Sequence, residues 1–316
     1  MARIVIALGG NALQANPKDT TAEAQLITAR QTSGAIVDLI EKGNEVIVAH
    51  GNGPQVGQII ATYEAAASIN EKSPIMPFPE CGAMSQGYIG YQLQQSIRAE
   101  MRSRGINKEV ATVITQVIVD ANDPGFKNPT KPVGSFFTEE QAKKLMAEKG
   151  YTMKEDSNRG WRRVVASPLP KSIVEEPIVR TLVEAGHVVI TVGGGGIPVI
   201  DKGNGKLEGV PAVIDKDFAS AKIAELLNAD ALVVLTAVEQ VAINFGKSNQ
   251  KNLSKMTVKE AKIYIEEGQF APGSMLPKIR AALIFVEAKE GRKAIITSLE
   301  KAGEAIAGKA GTVITN

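Results

Sequence analysis

The sequence predicts an α/β protein built on a mostly parallel sheet covered by helices. Two observations carry this. Short β-branched runs alternate with helical patterns along the chain. Three apolar runs also end in glycine: Ile4–Leu8 before Gly9-Gly10-Asn11, Val46–His50 before Gly51-Asn52-Gly53, and Val188–Val192 before Gly193–Gly196. Glycine allows a tight turn and lets a ligand approach the peptide N–H groups. Where a helix follows, its dipole and free N–H groups favour an anion. On neighbouring strands, such turns would form one anion-lined rim.

The elements follow in order. After the strand Ile4–Leu8 comes a helix over residues 22–42, ended by Gly43, and then the strand Glu45–His50. A helix from about Ser85 to Arg104 stops at Gly105 and leads to the strand Glu109–Thr115. Residues 120–172 break the alternation. Asn122-Asp123-Pro124-Gly125 and Pro129-Thr130-Lys131-Pro132 open this region, and Ser167-Pro168-Leu169-Pro170 closes it, so it reads as an inserted subdomain. Inside it, Thr138-Glu139-Glu140-Gln141 fits a capping box for a helix closed by Gly150. The basic run Arg159-Gly160-Trp161-Arg162-Arg163 reads as an exposed turn. Strands at His187–Val192, Ala231–Thr236 and Lys293–Thr297 complete the sheet. Helices follow at Phe218–Leu227 and after a second capping box, Thr257-Val258-Lys259-Glu260, closed by Gly268.

Composition narrows the function. The 316 residues suffice for one large domain or two lobes, and 44% hydrophobic with 22% charged residues is ordinary for a globular chain. A net charge of +2 gives no reason to expect nucleic acid. Cys81 is the only cysteine, which excludes an intrachain disulfide, and with only His50 and His187 beside it a zinc site is not expected. His187 opens an apolar strand and reads as structural; His50 sits beside the glycines but is not assigned as a base. Gly9-Gly10-Asn11 cuts the first apolar run short of a signal core of roughly 7–15 residues, and no run approaches the roughly 18 of a membrane helix. A cytoplasmic protein is expected.

No glycine turn is a P-loop. The dinucleotide fingerprint also fails, with Val56 and Pro198 where a third glycine should stand, which argues against a nicotinamide oxidoreductase. Singly, each turn is most simply a tight βα connection; three together, two with Asn, favour a ligand. Lys216 precedes one helical run, and Lys278 follows Pro277 in the first turn of another. A cation there opposes the helix dipole by roughly 0.3–1 kcal/mol, and a shared phosphate would reverse the sign. The plainer readings are that Asp215 or Asp217 caps the helix and neutralises Lys216, and that Lys278 is a solvated surface lysine. Lys131, between two prolines on a loop, is a third candidate cation. Glycine N–H groups, Asn donors, several lysines and one aspartate suit phosphoryl transfer, which depends on positioning and charge stabilisation.

The segments Ala7–Leu13, His50–Gly57, Cys81–Gly90, Gly193–Pro198, Val213–Asp217, Ile243–Lys247 and Pro272–Lys278 resemble carbamate kinases, and the likeness covers essentially the whole chain. The resemblance implies the amino-acid-kinase fold, a three-layer α/β/α sandwich around an open, mostly parallel sheet with an inserted protruding subdomain at about 120–172. One domain, 1–316, would have an N-lobe of about 1–185 for carbamate and a C-lobe of about 186–316 for nucleotide. The implied reaction is reversible transfer of phosphate from ATP to carbamate, giving ADP and carbamoyl phosphate. Mg2+ would accompany the nucleotide. The implied protein is a cytoplasmic homodimer, often forming ATP in arginine fermentation, the arginine deiminase pathway, with neither nucleic acid nor membrane as partner.

Carried over by position, Gly9, Gly10, Asn11, Gly51, Asn52 and Gly53 would bracket the carbamate and the migrating phosphoryl group. Lys131 would reach in from a mobile insert. Lys216 would stabilise the phosphoryl group, Asp217 would hold the lysines, and Lys278 would contact the terminal phosphates. Ala237, Val238 and Met275 would lie near the adenine. The chain departs from the pattern at Ala7, where many amino-acid kinases carry a lysine, and at Ala242 and Leu276, where a tyrosine and a glycine are expected. Carbamate is already ionised, so no general base is needed. Two other readings stay open: phosphorylation of another small acid, such as an acylated amino acid, and a non-catalytic metabolite-binding regulator.

Overall fold

The computed structural model describes residues 1–16, 19–156 and 160–316, apart from the side chains of Asn11 and Ser135. Burial explains why the apolar runs become strands. In Arg3–Leu8, Val5 and Ala7 enter one buried cluster, while Ile4, Ile6 and Leu8 enter another. The alternation repeats in Glu45–His50, with Ile47 and Ala49 on one side and Val46 and Val48 on the other. A strand that is apolar on both faces must be covered on both. Val179 of Glu176–Glu184, Ile223 of Lys216–Leu226 and Leu283 of Met275–Glu287 cover the first face. Val37 of Ala22–Glu41 and Leu93 of Phe78–Ser103 cover the second. Three layers result.

Among the described residues the main sheet has eight strands. From one edge they are Lys255–Thr257, Thr312–Thr315, Lys293–Ser298, Ala231–Thr236, Arg3–Leu8, Glu45–His50, Val188–Ile190 and Val110–Thr112. The last six run parallel, and the first two run against them. The three strands that carry the glycine turns are therefore immediate neighbours, with the register Leu8↔His50 bringing two turns side by side. Among the described residues no helix is long and apolar enough to cross a membrane.

Several expectations need correction. The run Glu109–Thr115 is not one strand: Val110–Thr112 stays in the main sheet, and Gln116–Val119 joins a separate four-stranded sheet. Between them Thr115 turns the chain, its N–H bonded to Gln86 Oε1 at 2.9 Å. The helix expected from Ser85 begins at Phe78, where Pro79 in the first turn and burial of Cys81 against Val56 and Ile60 start it early. His187 lies outside the strand Val188–Ile190. Both capping boxes form as read, at Thr138/Gln141 and Thr257/Glu260.

Residues within 120–172 build a three-stranded sheet from Lys131–Phe137, Trp161–Val165 and Met153–Glu155, with the helix Glu139–Lys149 beside it. Lys131 is therefore the first residue of a strand rather than part of a loop. Trp161, Arg162 and Arg163 are half-buried on another strand, not an exposed turn, while Arg159 lies outside the described residues. This sheet rests on the helix Gly53–Ile69 through bare backbone: a Cβ on Gly57 would lie 2.4 Å from Gly134 Cα.

Gly57→Ala tests that contact. Alanine gains up to about 1 kcal/mol of helix propensity, but overpacking against backbone costs roughly 1–3 kcal/mol. A net loss of about 1–2 kcal/mol in urea denaturation is expected; a gain in stability would show that the insert moves aside freely.

Candidate active site

A cavity of about 610 Å³ opens where the parallel strands end. Its floor includes Gly9 and Gly10, Gly51 to Gly53, Gly194, Thr236 and Ser298, which follow or close five adjacent strands. Open α/β sheets bind ligands at this carboxyl edge. Three helices of 17, 11 and 13 residues start against it: Gly53–Ile69, Lys216–Leu226 and Met275–Glu287. The first and third have no side-chain cap, and in the third the Leu276 N–H instead bonds the Ala271 carbonyl at 3.1 Å. The second is capped by Asp215, which accepts the Asp217 N–H at 2.9 Å.

The cavity gathers most of the residues singled out from sequence. Gly9, Gly10, Gly51, Asn52, Gly53, Lys131, Lys216, Asp217, Ala237 and Lys278 all line it. Val238 and Met275 do not; Met275 packs on the buried core, as does Leu276. Asn11 belongs to the turn Gly10–Ala12, but its side chain lies outside the described residues. Asn52 is buried and its amide nitrogen donates to Ser85 Oγ at 2.8 Å, which is how the Cys81–Gly90 segment supports the second turn. Gly51 makes room for a cation: a Cβ there would come within 3.2 Å of Lys216 Cδ.

The three lysines of the cavity are paired. Asp217, only 2% exposed, accepts from Lys278 at 2.9 Å and also from Lys216. Burial raises the Asp217 pKa, but the two ammoniums outweigh it and hold the carboxyl well below the usual carboxylate range. Burial lowers the pKa of Lys216, with repulsion from Lys278 adding to it and the pull of Asp217 outweighed. For Lys278 burial acts the same way, yet Asp217 prevails and raises the pKa. Two lysines at helix N-termini are thus tolerated because one buried carboxylate serves both. Lys131 reaches across from the insert to Asp215 at 2.6 Å.

Sequence reasoning missed Asp156, Arg162 and Glu300, which also line the cavity. Arg162 donates to the Gly134 carbonyl at 3.0 Å and to Asp156 at 3.4 Å. Trp161 and the β-branched pair Val164-Val165 were the available signal for that strand. Asp215 was read only as a cap. His50 is buried, its Nδ1 2.8 Å from the Gly51 carbonyl, and burial outweighs that bond to lower its pKa to about 4. Cys81 is buried in apolar packing, and burial, with Glu80 and Glu64 nearby, raises its thiol pKa.

Residues 2–298 match the amino acid kinase family. Carbamate kinase from Clostridium perfringens is 59% identical over 312 residues, covering 99% of each chain. The chain belongs to the amino acid kinase family, among the carbamate kinases. The carbamate kinase-like protein YqeA of Escherichia coli is 60% identical over 312 residues, 99% of this chain and 98% of that one. The solved carbamate kinase of Giardia lamblia bound to AMP-PNP superposes with a TM-score of 0.90 at 42% identity, covering 99% of this chain and 98% of that one. The three-layer sandwich is thus the fold of solved carbamate kinases, and the chain is a phosphotransferase of that family.

Two outcomes follow from the charges. Asp217→Asn strands two ammoniums without their carboxylate and is expected to cost roughly 3–5 kcal/mol in urea denaturation; an unchanged midpoint would mean that the lysines find other partners. His50 has a folded-state pKa of about 4 against an ordinary 6.5. Between those values the unfolded ring binds a proton that the folded ring does not. Its contribution to stability is therefore present above pH 6.5 and lost as the pH falls toward 4, by roughly 3 kcal/mol in all. An NMR titration of the ring should give a midpoint near 4, and a midpoint near 6.5 would contradict the burial argument.

Proposed function

We propose that this protein transfers a phosphoryl group between carbamoyl phosphate and MgADP, forming ATP and carbamate, and that it works in this direction in arginine catabolism. The single observation that carries the reading is the meeting of Lys131, Lys216 and Lys278 in one cavity at the N-termini of three helices. A migrating phosphoryl group carries negative charge on its peripheral oxygens, and fixed cations with backbone N–H groups stabilise it without reorganising.

The turns Gly9-Gly10-Asn11 and Gly51-Asn52-Gly53 would hold the small planar carbamate in the N-lobe, about 1–185. Lys216 would neutralise the transferred group, with Asp217 keeping Lys216 and Lys278 in place. Lys278 would meet the terminal phosphates of a nucleotide bound in the C-lobe, about 186–316, with Ala237 toward the adenine. Lys131, from the insert at about 120–172, would supply the charge that Ala7 lacks. In this direction the attacking oxygen belongs to the ionised terminal phosphate of ADP and carbamate leaves as an anion, so no base is needed, in keeping with a His50 held neutral by burial. Among the described residues no three His, Cys, Asp or Glu side chains gather as a metal cage. Magnesium enters as part of the nucleotide substrate. The working unit would be a cytoplasmic homodimer, as the resemblance implies.

A coupled assay with carbamoyl phosphate and MgADP is expected to yield ATP, and Lys216→Ala to lower turnover by about 100-fold or more, the scale of one lost transition-state donor. Turnover near wild type in that variant would remove Lys216 from its role. No turnover with carbamate or carbamoyl phosphate, but turnover with another small acid in a carboxylate panel, would replace the substrate.

A further inference from the structure

One carboxylate in the cavity has two duties. Asp215 Oδ1 accepts the Asp217 N–H at 2.9 Å and so caps the helix Lys216–Leu226. Its other oxygen accepts from Lys131 Nζ at 2.6 Å. The pair spans 84 residues and joins two bodies, the main sandwich and the inserted sheet. Both residues line the cavity, with side chains 28% exposed for Lys131 and 15% for Asp215. Solvent screens such a pair less than one on the surface.

Other contacts hold the insert farther out. Glu64 of the helix Gly53–Ile69 takes Arg163 at 3.1 Å and also Tyr151, and Gly57 meets Gly134. Those contacts fix where the inserted sheet sits, but a lysine has a flexible four-carbon stem and would still sweep a wide arc. The buried carboxylate of Asp217 is occupied by Lys216 and Lys278. Of the two carboxylates at the start of the helix Lys216–Leu226, Asp215 is the one that anchors Lys131, and it places the ammonium beside the N-terminus of that helix.

We propose that Asp215 is a positioning residue that docks Lys131 in the cavity, ready to turn from the carboxylate to an arriving phosphate. This rests on the proposed role of Lys131 in phosphoryl transfer. Pairing confines the lysine before substrate enters, so less ordering remains for the reaction itself. The exchange is local: one ammonium leaves a single carboxylate charge for the greater charge of a phosphate, while Asp215 keeps its bond to the Asp217 N–H and the helix stays capped.

The test uses the full-length enzyme as Asp215→Asn, Lys131→Ala and the double variant in the coupled assay. Asparagine caps helices about as well as aspartate, so Asp215→Asn should melt within about 2 °C of wild type. Asp215→Ser, which also caps, takes its place if it does not. We expect Asp215→Asn to lower kcat about 10-fold with KM for MgADP changed less than twofold. In the Lys131→Ala background the same change should alter kcat less than twofold, because the two residues act through one contact. Acetylation of Lys131, followed by peptide mass spectrometry, should be several-fold faster in Asp215→Asn than in wild type. Wild-type kcat in Asp215→Asn, effects that multiply in the double variant, or unchanged acetylation would each overturn the docking role. Wild-type turnover in Lys131→Ala would instead overturn the role of Lys131 and the docking proposal with it.

Discussion

A parallel strand buried on both faces cannot turn straight back, and this constraint organises the molecule. The chain must cross over through a helix packed on one face before it can pair again, and every crossover leaves from the same edge of the sheet. Six parallel strands, with Ile4 and Val5 or Ile47 and Val48 pointing to opposite buried clusters, therefore deliver their following turns to one rim. The cavity is a consequence of that rule before any residue in it is chosen for chemistry.

What the rim then contains is decided by electrostatics. Three helix N-termini give it a positive field from backbone alone, and adding lysines there is unfavourable until something negative arrives. Asp217 resolves this for two of them from a buried position, and Asp215 does so for the third. In the resting cavity each lysine thus has a carboxylate partner, and a phosphate can compete for the same ammoniums. The insert belongs to this balance as well: Lys131 arrives on a separate small sheet whose backbone rests on the helix Gly53–Ile69 at Gly57.

Much of this is legible in the chain. The strands Glu45–His50 and Ala231–Thr236 appear with the limits read from sequence, because their apolar runs are bounded by turn residues. Both capping boxes form, because a box is a local exchange of two hydrogen bonds that needs no partner from elsewhere. The misreadings share a cause. Residues 109–115 have strand character throughout, and partners distant in sequence, Gln86 and Thr191 on Thr115 and Glu175 on Gln116, mark where the chain leaves one sheet for another. Arg162 looks like a solvated arginine until the strand Trp161–Val165 carries it to the cavity wall.

By itself the sequence determined the alternation of strands and helices, the glycine turns at strand ends, and the motifs that mark a carbamate kinase. These are short-range properties, written in periodicity, φ freedom and contiguous residues. Tertiary structure alone decided which turns became neighbours, that Asp217 meets Lys278 across 61 residues, and that Asp215 meets Lys131 across 84. The reason is physical. A charge pair at hydrogen-bond distance depends on the relative placement of whole elements, and strand order together with packing on a helix sets that placement. Neither has a signature at the residues themselves.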